Sequence, residues 1–241
     1  MSARKRAAWA GWAGVLAALC WIAGDVLIVG HVADRAAFPL LFQTWAGRID
    51  ADMAEHVVGV PTARLIAGAL CGVFSVWLYL VGNWHLWCGM RACGRIWKMP
   101  AIALIFVGCA LSPLPHAAFY FVGATYQELL VAPPQAHAAL LALADEFRQV
   151  LLITWMPAVL CQMLGMLWLS FAIASGRSAW PRWMAITVNP IVLGAPIACT
   201  QLLLPMQPFQ AIAAASFNVM WLVVYAQSLA LMGRYRGEHS F

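Results

Sequence analysis

Apolar runs long enough to cross a lipid bilayer recur along this chain, and charge is concentrated at the gaps between them and largely sorted by sign. A run of about 20 residues spans the hydrocarbon layer as a helix. Backbone in lipid must satisfy its own hydrogen bonds, which leaves helices or a closed barrel, and unbroken apolar runs fit helices rather than alternating strands. The runs predict an all-α polytopic membrane protein, a bundle of six transmembrane helices at residues 7–30, 63–90, 99–125, 148–175, 183–204 and 208–232.

The sign of the charge orients the bundle. Arg4, Lys5 and Arg6, then Arg91, Arg95 and Lys98, then Arg177 and Arg182, then Arg234 and Arg236 fall in one set of gaps. Asp34, Asp50, Asp52, Glu55, Glu128, Asp145 and Glu146 fall in the other, with Asp25 just inside the membrane beside them. Basic loops stay in the cytoplasm, so both termini are predicted there. Trp9, Trp97, Trp180 and Trp183 lie beside basic clusters, where interfacial aromatics belong.

Composition agrees with this topology. Only 10% of the chain is charged and 64% is hydrophobic, against about 25% charged for a soluble domain. The pI near 9.0 would in a soluble protein point to nucleic acid. Here the basic residues form short clusters at segment ends, so they orient helices and meet lipid headgroups, and no nucleic-acid partner is expected. No polar stretch is long enough to fold alone, so residues 1–241 read as one transmembrane domain. The first run continues beyond the length of a signal-peptide core and ends in no small-residue cleavage site, so it reads as the first span. None of the seven cysteines lies in an acidic-side gap, which leaves no external disulfide framework.

Two external connections are long enough to carry structure. In residues 47–58, Arg48, Asp52 and His56 recur every fourth position, opposite Ile49, Met53 and Val57. That is the spacing of an amphipathic helix. Residues 133–147 open on Pro133-Pro134 and carry a second amphipathic stretch. Both are expected to lie on the outer surface or cap the bundle.

Polar residues inside a span turn towards other helices or a wet cavity, so their spacing maps the inward face. Arg64, Gly68, Cys71, Ser75, Tyr79 and Gly82 form such a stripe, as do Ser112, His116, Tyr120, Gly123 and Gln127, and Asn218, Trp221, Tyr225 and Ser228. Thr154, Cys161 and Gln162 continue it on the fourth span. The hydroxyls and small residues are explained by close helix packing. Ionisable groups are costly in lipid, so Asp25, Arg64 and His116 carry more information. Asp25 and Arg64 stand at similar depth and are expected to pair; His85, near the cytoplasmic edge, reads as interfacial. The segment Ser112-Pro113-Leu114-Pro115-His116 frees backbone carbonyls in mid-membrane, which is tolerated beside a cavity.

These residues predict an outward-facing polar cavity. His116 is the candidate acid or base, with Asp25 or Glu128 as partner, and Arg64 as anchor for a polar or anionic head. Tyr120, Gln127, Arg148, Asn218, Trp221 and Trp155 complete the candidate binding residues. The substrate expected is a lipophilic small molecule, and the other partners are membrane lipids. External His31, Asp50, Asp52, Glu55, His56 and His137 are of ligand type, yet no metal-binding spacing joins them, and no metal or cofactor is expected. An isomerase, cyclase or hydrolase type of acid/base enzyme is the first function this arrangement suits. A small-molecule or proton-coupled transporter is the alternative, and it needs a polar route through the inner half, where such groups are sparse. A non-catalytic membrane subunit or lipid-binding scaffold is the third.

Gly24-Asp25, Arg64-Leu65, His116-Ala117-Ala118-Phe119, Pro181-Arg182-Trp183, Asn189-Pro190 and Asn218 occur in an order that resembles an uncharacterised family of bacterial multi-pass integral membrane proteins. The resemblance implies a bacterial inner-membrane setting and adds weight to Asp25, Arg64, His116, Arg182, Asn189 and Asn218. It implies no activity.

Overall fold

The computed structural model describes residues 2–204 and 209–232, and every regular element among them is helical. Arg234 and Arg236, the last basic cluster, lie outside the described residues, as does Pro208 at the start of the sixth expected span. The long helices are α1 (Ala3–Val29), α3 (Thr62–Gly89), α4 (Arg95–Leu111), α5 (Pro113–Val131) and α6 (His137–Ala174). Between α1 and α3 lies the short α2 (Ala51–Val57), and after α6 come α7 (Met184–Thr187), α8 (Pro190–Leu203), α9 (Phe209–Ala214) and α10 (Ser216–Met232).

Among the described residues four helical stretches are long and apolar enough to cross a membrane: Ala3–Val29, Thr62–Gly89, Arg95–Val131 and Pro134–Ala174. The fifth and sixth expected spans take another form. Asn189 caps α8 through its side chain and Pro190 opens it, which separates α8 from α7. At 14 residues, α8 is about 21 Å long, short of a hydrocarbon layer about 30 Å thick. The last helix, α10, has 17 residues and reaches about 26 Å.

The third span is interrupted at Ser112, beside the prolines that free its backbone carbonyls. Pro113 and Pro115 cannot donate to the carbonyls one turn earlier, so α4 ends and α5 begins across Ser112. The Ser112 hydroxyl takes over the Gly108 carbonyl at 2.7 Å. The fourth span is longer than expected, because its 38 residues, about 57 Å, include most of the amphipathic stretch that opens near Pro133. Those first turns pack into the outer apolar cluster, with Leu141 and Ala144 buried.

The first external connection is only partly helical. Asp50 caps α2 at its N-terminus by accepting from the Met53 amide, so the helix starts after Arg48 and Ile49 rather than including them. Ahead of it lie short turns at Arg35–Ala37 and Leu40–Thr44. Arg35 clamps them to α2 through Asp52 at 2.8 Å and Glu55 at 2.6 Å.

Helix α1 packs chiefly on α3 and also on α10, while α6 packs along both α4 and α5. Two large apolar clusters result, beside a small one of Ala7, Cys88 and Met232. One gathers Trp21, Leu78, Tyr79, Ile105, Met166, Trp180, Trp221 and Tyr225, and the other Leu41, Val57, Leu65, Val122, Tyr126 and Leu141. On α3 the clusters are separated by Gly68 to Ser75, and on α5 by the turn that carries His116. Large apolar side chains such as Phe74, Trp77, Ile153 and Phe171 cover the outside, as lipid contact requires.

Candidate functional site

Glycine sets the geometry of the site. Gly24 on α1 and Gly68 on α3 bring the two backbones together: a Cβ on Gly24 would stand 3.0 Å from the Gly68 carbonyl oxygen, and one on Gly68 would stand 2.9 Å from that of Gly24. Small residues are what permit such approach in lipid. One turn on, Gly72 leaves room for a ring, and a Cβ there would overlap His116. The imidazole of α5 is thereby laid into the α1–α3 seam, with the Trp21 indole against it at 4.7 Å between centroids.

Its nitrogens face two different partners. Nε2 lies 3.0 Å from the Gly68 carbonyl oxygen, which can only accept, so Nε2 carries a hydrogen and donates it. Nδ1 faces Asp25 Oδ1 at 3.6 Å. A bare nitrogen lone pair and a bare carboxylate would repel there, so the pair is stable when it holds one proton, on either the carboxyl or the imidazole. The other carboxyl oxygen, Oδ2, accepts from Asn218 Nδ2 of α10 at 2.7 Å, and Asn218 Oδ1 accepts from the Tyr79 hydroxyl of α3 at 2.8 Å. Four helices thus fix one proton-holding pair.

Stability alone does not account for it. An aspartate at the centre of a span costs about 3 kcal/mol, whereas interhelical hydrogen bonds in lipid contribute on average about 0.6 kcal/mol. Even at half that penalty, the Asn218 bond does not offset the carboxyl. The pair also opens on a cavity of about 370 Å³, within the range of small-ligand sites. Asp25, His116, Asn218, Ser112 and Gln162 give it a polar end, while Phe119, Trp155, Met163 and Phe217 make its apolar wall. The Trp21 indole N–H, also in the lining, is buried with no protein acceptor.

The structure brings Asp25, His116, Asn218 and Trp155 together around this cavity. Trp221 stands one layer behind, fully buried, donating to Gln162 Oε1 at 2.8 Å while Gln162 Nε2 donates to Ser112 Oγ at 2.9 Å. Other candidates are elsewhere. Arg64 does not pair with Asp25, because its guanidinium donates to the carbonyls of Val26 and Leu27, both at 2.9 Å, and closes the C-terminal turn of α1. Glu128 lies on the exposed face of α5. Gln127 reaches the Val57 and Val60 carbonyls and accepts from Thr62. Arg148 pairs with Asp50 at 3.0 Å, and Tyr120 packs beside Phe121. His85 is not interfacial but wholly buried, with Nδ1 2.9 Å from the Ala7 carbonyl and Nε2 2.8 Å from Ser228 Oγ. Trp180 is likewise buried under the end of α3, whereas Trp9 and Trp183 are exposed.

A family model described as a family of unknown function (DUF6796) matches residues 3–235. The chain belongs to that family. No curated protein and no solved structure matches it. The DUF6796 match agrees with the resemblance carried by the Gly24-Asp25, Arg64-Leu65 and His116 motifs, and it runs through every helix described above.

In this DUF6796 chain, residues not assigned a role from sequence complete the site. Tyr79 stands on the α3 stripe, and its periodicity marked it as inward without showing that Asn218 is its partner. Ser112 and Gln162 were marked in the same way. Gly72 had a signal, one turn from Gly68 on α3, but a glycine in a span is also ordinary packing. Trp21 was one aromatic among many. Among the described residues no three His, Cys, Asp or Glu side chains converge as a metal site would need.

Proposed function

We propose that this chain is a six-span protein of a bacterial inner membrane, both termini cytoplasmic, that admits a lipophilic small molecule from the outer leaflet and exchanges a proton with it at Asp25–His116. The six-span reading counts α8 and α10 as the short fifth and sixth spans, and it rests on the sorted charges. The observation that carries the chemistry is the pair itself: an imidazole whose Nε2 is committed to the Gly68 carbonyl, so that only Nδ1 and Asp25 remain to give or take a proton. Asn218 and Tyr79 hold the carboxyl in place, and the cavity presents it to a ligand. Acid/base catalysis of an isomerase, cyclase or hydrolase type suits such a pair, because the proton can be placed on either member. Trp155, 40% exposed, stands at the lipid-facing mouth.

The test is the identity of what the protein retains. After gentle extraction and mass spectrometry, wild-type protein is expected to carry a lipophile in near-stoichiometric amount, and Asp25→Asn and His116→Phe are expected to release it or keep it unconverted. Retention and turnover equal to wild type in both variants would end this reading.

A second reading, proton-coupled transport, is favoured by one observation. Beyond Tyr79 the α1–α3–α10 interface continues with the Tyr225 hydroxyl donating to Asn83 at 3.3 Å, then with His85 between Ser228 and the Ala7 carbonyl. The inner half is therefore less sparse than its sequence indicated. Proton-linked uptake into vesicles that needs His85 as well as His116 would select transport over catalysis.

A further inference from the structure

We infer that the ligand of this cavity is a lipophilic amine, bound as an ammonium with Asp25 as its counter-ion. The inference rests on the proposed function and narrows it to a substrate class. It comes from the charge and surface of the lining. Among the described lining residues Asp25 is the only carboxylate, His116 is its neighbour, and there is no Lys or Arg. Arg64, the one cation at that depth on α3, is committed to the Val26 and Leu27 carbonyls and is not part of the cavity lining. A phosphate or carboxylate head would meet a pair whose single proton leaves it without net positive charge, and no described Lys or Arg of the lining supplies one in a water-poor setting, where an unpaired anion is costly.

A cation meets the opposite arrangement. Trp21, Tyr79, Phe119, Trp155 and Phe217 border the cavity on several sides. Aromatic faces attract ammonium groups, and more strongly when both are desolvated. The apolar wall of Phe119, Val159, Met163 and Met220 takes the alkyl or ring portion. Delivery costs little, because a tertiary amine enters from lipid as the uncharged base. It then takes the proton held by Asp25–His116: one N–H bond forms on the ligand as the bond holding that proton in the pair breaks. What remains is an ammonium beside a carboxylate, with His116 neutral and still donating from Nε2 to Gly68.

The experiment uses full-length protein in nanodiscs of zwitterionic lipid, with radiolabelled N,N-dimethyldodecylamine as probe and dodecyltrimethylammonium, dodecanol and dodecanoate as competitors. The expected result is one saturable site from which the quaternary ammonium displaces the probe, with dodecanol roughly tenfold weaker or more, the scale of a desolvated cation–π contact, and dodecanoate inactive. Asp25→Asn is expected to lose binding by a similar factor. Trp155→Ala, at the mouth, is expected to weaken the amine several-fold and the alcohol less, which keeps the test sound if Asp25→Asn does not fold. Glu128→Gln should bind as wild type. Dodecanol binding as tightly as the amine, with Asp25 required for both, would overturn the amine class and leave the cavity reading standing. Amine binding that survives Asp25→Asn would overturn the counter-ion role, and no saturable binding of any probe would overturn both.

Discussion

At residue scale the account turns on two positions, Gly72 and Asp25. Gly72 matters for what it lacks: a methyl there overlaps the His116 ring. Overpacking of this kind costs about 1–3 kcal/mol, so Gly72→Ala is expected to lower the thermal stability of detergent-solubilised protein. Cutting the ring away in Gly72→Ala/His116→Ser should recover most of that loss, since contacting residues couple. Additive losses in the double variant would mean that the ring does not lie in the seam. Asp25→Asn keeps an acceptor for the Asn218 amide and removes the shared proton. It is expected to stay folded, or even to gain stability, while losing ligand handling, because an uncharged amide is cheaper in lipid than a carboxyl. A variant less stable than wild type with ligand handling intact would contradict that division between stability and function. The inward direction of Asp25 and His116 was legible in sequence, but the Gly72 seam and the bond to Asn218 were not. Periodicity says which face of a helix turns inward and is silent on which helix meets it.

At element scale, side chains that looked like ligand groups prove to be fasteners of the external segment. Gln127 ties α5 to the Val57 and Val60 carbonyls and to Thr62, which holds the connection between α2 and α3. Gln127→Ala is expected to speed tryptic cleavage at Arg48 several-fold with the spans intact, and an unchanged rate would show that other contacts hold the segment. His31 gives the same segment a pH dependence. Burial, then the charges of Arg64 and His56, lower its pKa from the ordinary 6.5. A histidine kept neutral in the fold but free to charge when released contributes nothing adverse above that value and destabilises the segment as pH falls below it. Tryptic release should therefore accelerate below about pH 6.5, and His31→Gln should blunt the acceleration. Element ends were harder to read than element types. The Arg48–Asp52–His56 spacing is real, yet Asp50 caps the chain at the next residue and places Arg48 outside the helix. The amphipathic stretch near residue 137 keeps helical propensity into the next span, so α6 runs on where a break was expected. The proline-driven loss of backbone bonds at Ser112 was legible because it follows from missing donors rather than from tertiary contacts.

At the scale of the whole molecule, four helices long enough to cross a membrane were plain in the sequence, since length and apolarity suffice to recognise them. The runs expected as the fifth and sixth spans, 183–204 and 208–232, hold shorter helices, because Asn189-Pro190 and the separation of α9 from α10 interrupt them. The orientation is open to direct measurement. Single-cysteine variants at Ser2, Ala92 and Arg177 are expected to be shielded from a membrane-impermeant thiol reagent added to intact cells, and variants at Ala46 and Gln135 to be labelled. The reverse pattern would invert the topology. What the molecule does with this frame depends on whether the cavity at Asp25–His116 receives a lipophile. Photolabelling decides that most directly: diazirine-bearing alkyl amine and alkyl alcohol probes, irradiated with protein in nanodiscs, followed by peptide mass spectrometry. The expected adducts fall on Phe119, Trp155, Met163 and Phe217 and diminish in Asp25→Asn; adducts confined to outward residues such as Phe74 and Ile153, equal in both proteins, would contradict the account.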